Sequence, residues 1–230
     1  MREVAVFGAG GGIGAALVAA LAAREDVARV FAVSRQGLAG AGKVAAVVCD
    51  PFDAAALAGV AAAMSPDLVI VATGALTLAG GIGPEKSLRA VSAEALLESY
   101  RVNAVLPALI VQAMLPRMPR DRRAVLAVLS ARVGSIGDNK LGGWHAYRAS
   151  KAALNQLLRT IAVEARRTHP RAVIAALHPG TVATGLTAPF VGGREVMTPA
   201  QSAARLLAVI GELEPADSGG FFAWDGSAIP

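Results

Sequence analysis

Five of the seven residues from Gly8 to Gly14 are glycine, and this cluster cuts an uncharged run, Val4 to Ala23, into two unlike halves. Unbroken, such a run is long enough to span a bilayer, and Met1-Arg2-Glu3 ahead of it hints at a signal peptide. Glycine weakens helix interiors and favours turns, so the run cannot be one apolar rod. Residues 3–7 read as a short buried strand, and the Ala/Leu-rich residues 13–24 as a helix. The expectation is a strand, a turn and a helix, with neither a signal peptide nor a membrane span. Bare backbone N–H groups in such a turn, with the partial positive charge of the helix N-terminus behind them, suit a pyrophosphate. A tight turn with no ligand needs glycine too, so the turn alone is weak evidence.

The rest of the chain repeats the alternation. Strand-like runs lie at 29–33, 43–48, 67–72, 124–129, 172–177 and 220–224. Helices are expected at 54–64 (capped by Asp53), from Ser92 to about 115 with a kink at Pro107, from about 145 to 168, and at 199–213. Alternating strands and helices require parallel strands with helical crossovers. The predicted fold is therefore α/β, a single Rossmann-like doubly wound parallel sheet with helices on both faces. It forms one dinucleotide-binding domain over 1–230, with its ligand at the carboxyl ends of the strands. The residues are 54% apolar and 4% aromatic, which suits helix packed on sheet.

The formal charge is +5. Two basic clusters stand out, Arg117, Arg120, Arg122 and Arg123, then Arg166, Arg167 and Arg171. Neither has aromatic or groove-reading companions, so they read as solvated helix ends and no nucleic-acid partner is expected. A basic balance does favour a polyanionic cofactor. Cys49 is the only cysteine. It can form no internal disulfide and no metal cluster, and a buried structural thiol in a cytoplasmic chain is expected.

Tyr147-Arg148-Ala149-Ser150-Lys151 carries the chemistry. On a helix, Tyr147 and Lys151 share one face. A nearby ammonium stabilises phenolate and lowers the tyrosine pKa, which makes Tyr147 a usable proton donor to a carbonyl or acceptor from an alcohol. Alone, Tyr-x-x-x-Lys is common and usually a surface pair.

The spacing of Gly8, Gly12 and Gly14, Gly-x-x-x-Gly-x-Gly, together with Tyr147 and Lys151 downstream, resembles the short-chain dehydrogenase/reductase family. The resemblance covers nearly the whole chain. The Asp138-Asn139 loop, Gly143-Trp144, Tyr147 to Asn155 and Asp225 to Pro230 most resemble its C-factor-like subgroup, which includes cell–cell signalling proteins. The resemblance implies a cofactor site on Gly8, Gly10, Gly11, Gly12, Ile13 and Gly14, on Asp50 and Pro51, on Ala72, Thr73 and Gly74, and on Pro179, Gly180, Val182 and Thr184 of the Pro-Gly-x-Val-x-Thr loop. Asp50 competes with Asp53 as a helix cap. Asn103 resembles the asparagine that supports a water relay to the lysine; by itself it reads as a satisfied mid-helix amide. The second strand ends in Ser34-Arg35, with no acid from Ala32 to Gly37. A guanidinium can hold a 2′-phosphate, so NADP(H) is favoured over NAD(H). The family further implies a homodimer or homotetramer built on the helices near 95–115 and 147–168.

Two departures from the family pattern matter. The fourth strand runs into Val71-Ala72-Thr73-Gly74 where the family has Asn-Asn-Ala-Gly. The fifth ends Ser130-Ala131-Arg132-Val133-Gly134, which puts Ala131 where a serine polarises the substrate carbonyl. Ser130 and Ser135 are the candidate replacements. The expected activity is hydride transfer between NADP(H) and a small carbonyl or alcohol. Ala131 and the C-factor resemblance motivate an alternative, an NADP-binding signalling or regulatory protein with little turnover. A methyltransferase shares the glycine turn but has no use for Tyr147, Lys151 or Arg35. Trp144 either stacks on substrate or packs locally; His145 and His178 read as a loop histidine and a turn hydrogen bonder. The apolar 185–198 loop, with Leu186, Phe190 and Val191 and hinges at Gly192-Gly193, is expected to act as a mobile lid.

Overall fold

The structure is a computed structural model that describes residues 2–190, 192 and 196–230. Seven strands, β1 (Arg2–Phe7), β2 (Val27–Ser34), β3 (Val44–Val48), β4 (Leu68–Val71), β5 (Ala124–Leu129), β6 (Ala172–His178) and β7 (Phe221–Ala223), lie in the order β3-β2-β1-β4-β5-β6-β7. Every neighbouring pair is parallel. Among the described residues, six α-helices connect and cover them: α1 (Gly12–Ala22), α2 (Ala54–Ala62), α3 (Ala93–Tyr100), α4 (Leu106–Met114), α5 (His145–Ala165) and α6 (Pro199–Glu212).

The strands read as continuous apolar runs because both faces of the sheet are buried. Alternate residues divide between two cores. Val4 and Val6 of β1 pack with Leu17 and Leu21 of α1 and Leu206 and Ile210 of α6. Ala5 and Phe7 pack with Leu57 of α2, Ile110 of α4 and Leu154 and Leu158 of α5. Strand order reverses between β1 and β4, which opens a crevice at their carboxyl ends. The uncharged N-terminal run is divided between β1 and α1, and no helix among the described residues is long and apolar enough to cross a membrane.

Local chemistry sets the element ends. Asp53 caps α2 by accepting the Ala55 and Ala56 N–H groups, both at 3.0 Å. Ser92 caps α3 by accepting from Ala95 at 3.1 Å. The helix expected to run unbroken to a kink at Pro107 is instead interrupted earlier, by a π-turn at Arg101–Val105 that holds Asn103. Pro107 falls in the first turn of α4, a position that proline tolerates. Arg123, expected to be solvated, closes the C-terminus of α6 by donating to the carbonyls of Ile210 at 2.6 Å, Gly211 at 3.2 Å and Leu213 at 2.6 Å. Sequence periodicity carries no sign of that contact, which joins segments about ninety residues apart. Arg123→Ala is expected to lower stability by about 1.5–3 kcal/mol, the usual range for bonds to a charged donor, read from the urea midpoint at unchanged slope.

Candidate active site

The glycine turn is dictated by close approach. A Cβ on Gly8 would lie 2.8 Å from the Ala72 carbonyl, and Gly8 has φ 82°. A Cβ on Gly14 would lie 2.1 Å from the Gly8 oxygen, and one on Gly12 2.9 Å from the Thr184 methyl. The Gly8 and Ala9 N–H groups donate to the Val33 carbonyl and that of Gly11 to the Gly8 carbonyl, whereas Gly11, the N-cap of α1, offers no side chain to the N–H groups of the first helical turn, which are left for a ligand.

Two clefts open at the carboxyl edge of the sheet and share Ala72, Thr73 and Gly74. The first, about 880 Å³, is lined by Gly8, Gly10 and Gly11, by Ser34, Arg35 and Gln36, and by Pro51. Sequence reasoning missed Phe52, Glu98 and Arg101 in it. Arg101 lies 4.4 Å from the centroid of the Phe52 ring and pairs with Glu98 at 2.7 Å. The one available signal was its position two residues before Asn103. Asp50 stays outside this lining; its carboxylate accepts the Phe52 N–H at 3.1 Å. Cys49 is buried, and burial pushes its thiol up, which makes it inert.

The second cleft, about 610 Å³, brings together Ile13, Ser130, Ala131, Trp144, Tyr147, Lys151, His178, Pro179, Gly180, Val182 and Thr184. Both clefts are open where a dinucleotide would need to lie, and the Thr73 hydroxyl at their junction is buried without a partner. Glycine cradle, helix terminus and orphaned hydroxyl together fit a nicotinamide dinucleotide stretched from Arg35 to Tyr147.

Tyr147 and Lys151 lie on one face of α5, with the Lys151 nitrogen 6.0 Å from the centre of the tyrosine ring. Lys151 is 3% exposed and donates to the Leu129 carbonyl at 3.0 Å. Burial pushes its ammonium down to about 8. The tyrosine moves opposite to expectation: desolvation pushes its phenol up to about 12. The ammonium, turned toward Leu129, does not offset that burial. A neutral phenol is the form that can give a proton.

Asn103 is fully buried behind Gly74. Its Oδ1 accepts the Ala75 N–H and its Nδ2 donates to the Ala75 carbonyl, both at 2.9 Å. A Cβ on Gly74 would stand 3.1 Å from that Oδ1 and 3.5 Å from the Lys151 nitrogen. Asn103 thus holds the β4 exit against the lysine, a role its position in the sequence did not show.

Of the two candidate serines, the structure brings only Ser130 to the cleft, and its hydroxyl donates to Asn155 Oδ1 at 2.7 Å. Ser135 is turned away: it is bonded to the Pro230 carbonyl and accepts the Asp138 N–H at 3.2 Å. Ala131 lines the cleft with a methyl group. His178 also lines it, with Nδ1 buried and unpartnered; burial, then Arg132, pushes it down to about 4, so the ring is neutral. His145 opens α5 and lies outside the lining. Trp144 lies in the wall, edge-on to Tyr147 at 6.2 Å and to Phe190 at 5.6 Å. Of the expected lid, Leu186 and Phe190 line the cleft, whereas Val191 and Gly193 lie outside the described residues.

Known proteins share this fold. The family described as short chain dehydrogenase matches residues 2–194. C-signal of Myxococcus xanthus is 36% identical over 134 residues, 57% of this chain and 76% of that protein. The 1-hydroxy-2-glutathionyl-2-methyl-3-butene dehydrogenase of Rhodococcus sp. (strain AD45) is 36% identical over 128 residues, 56% of this chain, and the match spans only 55% of that enzyme. The NADPH-bound carbonyl reductase from chicken fatty liver superposes with a TM-score of 0.83 at 27% identity, covering 99% of this chain and 93% of that one. With a parallel sheet that reverses over a glycine turn, and Tyr147 beside Lys151 at the reversal, the chain belongs to the short-chain dehydrogenase family and is an oxidoreductase.

Proposed function

We propose that the chain transfers hydride between NADP(H) and a small carbonyl or alcohol. The observation that carries this reading is the meeting of the two clefts at Ala72, Thr73 and Gly74, with Tyr147 and Lys151 lining one and Arg35 the other. Ser34, Arg35 and Gln36 offer a phosphate donors and no acid, which favours a 2′-phosphate over a bare ribose. The bound cofactor would supply or take up the hydride. Tyr147 gives its proton to the carbonyl oxygen, and Lys151, mostly cationic near pH 7, stabilises the phenolate left behind. Because the Asn103 side chain is held by Ala75, the relay from Lys151 to solvent that resemblance assigns to this residue would have to use its main-chain carbonyl. Pro107, without an N–H, leaves that carbonyl no α-helical donor.

A second reading, an NADP-binding signalling protein with little turnover, draws on Ala131 and on the likeness to C-signal. With Ser130 donating to Asn155, the hydroxyl that would polarise a substrate carbonyl is missing. Exposed Leu97, Val105, Leu157 and Val163, on and between α3, α4 and α5, support a homodimer or homotetramer.

Loss of NADPH absorbance with a panel of aldehydes, ketones and quinones tests the reading. Turnover is expected, and Tyr147→Phe should lower kcat by about 10²–10⁴-fold. Tight NADPH binding with no turnover across the panel would favour the signalling reading. Ala131→Ser should raise kcat by about tenfold to a hundredfold by restoring a donor; an unchanged kcat would show that another group already fills that role. Arg35→Ala should raise the KM for NADPH about tenfold or more and leave that for NADH unchanged. Light scattering should give a mass of two or four chains.

A further inference from the structure

The turn that leads into α5 holds an unusual backbone. Gly142, Gly143 and Trp144 are successively left-handed, with φ of 64°, 67° and 52°. Trp144 is the one non-glycine residue at positive φ among the described residues. A bulky side chain resists that conformation and adopts it only where the surroundings enforce it. Trp144 is also the N-cap of α5, and it makes no side-chain cap.

Glu85, from the irregular 74–92 loop, supplies what is missing. Its main-chain carbonyl accepts the Trp144 N–H at 2.5 Å. Its carboxylate accepts the Ala146 N–H through both oxygens, at 3.3 and 3.2 Å. Glu85 is 5% exposed and has no ion-pair partner among the described residues. A buried, unpaired carboxylate is costly unless something compensates it. Here the compensation is the positive end of α5. From the other side, Ser99 donates to the Ala146 carbonyl at 3.1 Å. The residue before Tyr147 is therefore held at both its N–H and its C=O by side chains distant in sequence. The indole of Trp144 then stands edge-on to Tyr147 and to Phe190 across the mouth of the cleft.

We propose that Glu85 is a positioning residue for the candidate active site. It enforces the left-handed Trp144 turn and so fixes both the proton donor Tyr147 and the aromatic wall that selects substrate. Its structural part rests on the geometry alone, and its catalytic consequence rests on the oxidoreductase reading above. The 74–92 loop thereby tunes a catalytic helix it does not belong to.

The chain has two tryptophans, so a Trp224→Phe background makes Trp144 the sole tryptophan emitter. In that background Glu85→Ala should shift the emission to the red with the far-UV dichroism intact. It should lower kcat for carbonyl reduction about tenfold or more, through a misplaced proton donor, while NADPH affinity is unchanged. Glu85→Gln keeps an acceptor for Ala146 and should stay near the parent in emission and kcat. Unaltered emission and kcat in Glu85→Ala, or parallel loss of kcat and NADPH binding, would overturn the proposal. Should Glu85→Ala fail to fold, Glu85→Asp decides: it keeps the charge but withdraws it, and must shift emission where Glu85→Gln does not. A parent protein that binds NADPH and reduces no carbonyl would defeat the oxidoreductase reading alone, and the emission comparison would still decide the role of Glu85.

Discussion

A side chain at position 14 would collide with the carbonyl oxygen of Gly8, and one at position 8 with the carbonyl of Ala72. The first helix can therefore start directly over the end of β1 only because these positions are bare. From that packing the rest of the site follows. The N-terminus of α1 is brought to the point where strand order reverses. The exit of β4 is pressed against the glycine turn, and the two clefts meet on Ala72, Thr73 and Gly74. The same device recurs at the reacting end, where a Cβ on Gly134 would stand 2.7 Å from the Lys151 Cβ. Backbone that approaches this closely leaves little room for the lysine to move.

Burial then sets the electrostatics. It lowers Lys151 to about 8 and raises Tyr147 to about 12, so each is driven toward its neutral form. A buried polar network holds the pair in place. Asn103 grips Ala75, its Nδ2 donates to Ser99 at 3.3 Å, and the Ser99 hydroxyl donates to the Ala146 carbonyl with Ser150 Oγ 3.0 Å from it. Ser150 in turn donates to the Tyr147 carbonyl at 2.8 Å. The network links the β4 exit, α3 and α5, and it surrounds the pair without using either reacting group.

What was legible in the sequence was local or periodic. Strands buried on both faces appear as apolar runs, so all seven were placed to within a few residues. Asp53 and Ser92 declared their helix starts because capping is a contact over two or three residues. Tyr147 and Lys151 declared themselves through helical spacing. What escaped depends on folding distant segments together. Arg123 reaches α6, and Glu85 reaches α5 across 61 residues. The break before Pro107 arises where Asn103 is drawn to Ala75. Ser135 lay at a plausible spacing from Tyr147, yet the C-terminal Pro230 holds its hydroxyl away from the cleft. The direction of the Tyr147 shift was misjudged for a similar reason, since a sequence shows the neighbouring charge but not the depth of burial.

The most direct measurement is a crystal structure of the chain soaked with NADP⁺. The account predicts one dinucleotide spanning both clefts, its pyrophosphate on the glycine turn, its 2′-phosphate on Arg35 and its nicotinamide ring beside Tyr147. A dinucleotide bound elsewhere, or bound with the nicotinamide away from Tyr147 and Lys151, would contradict it.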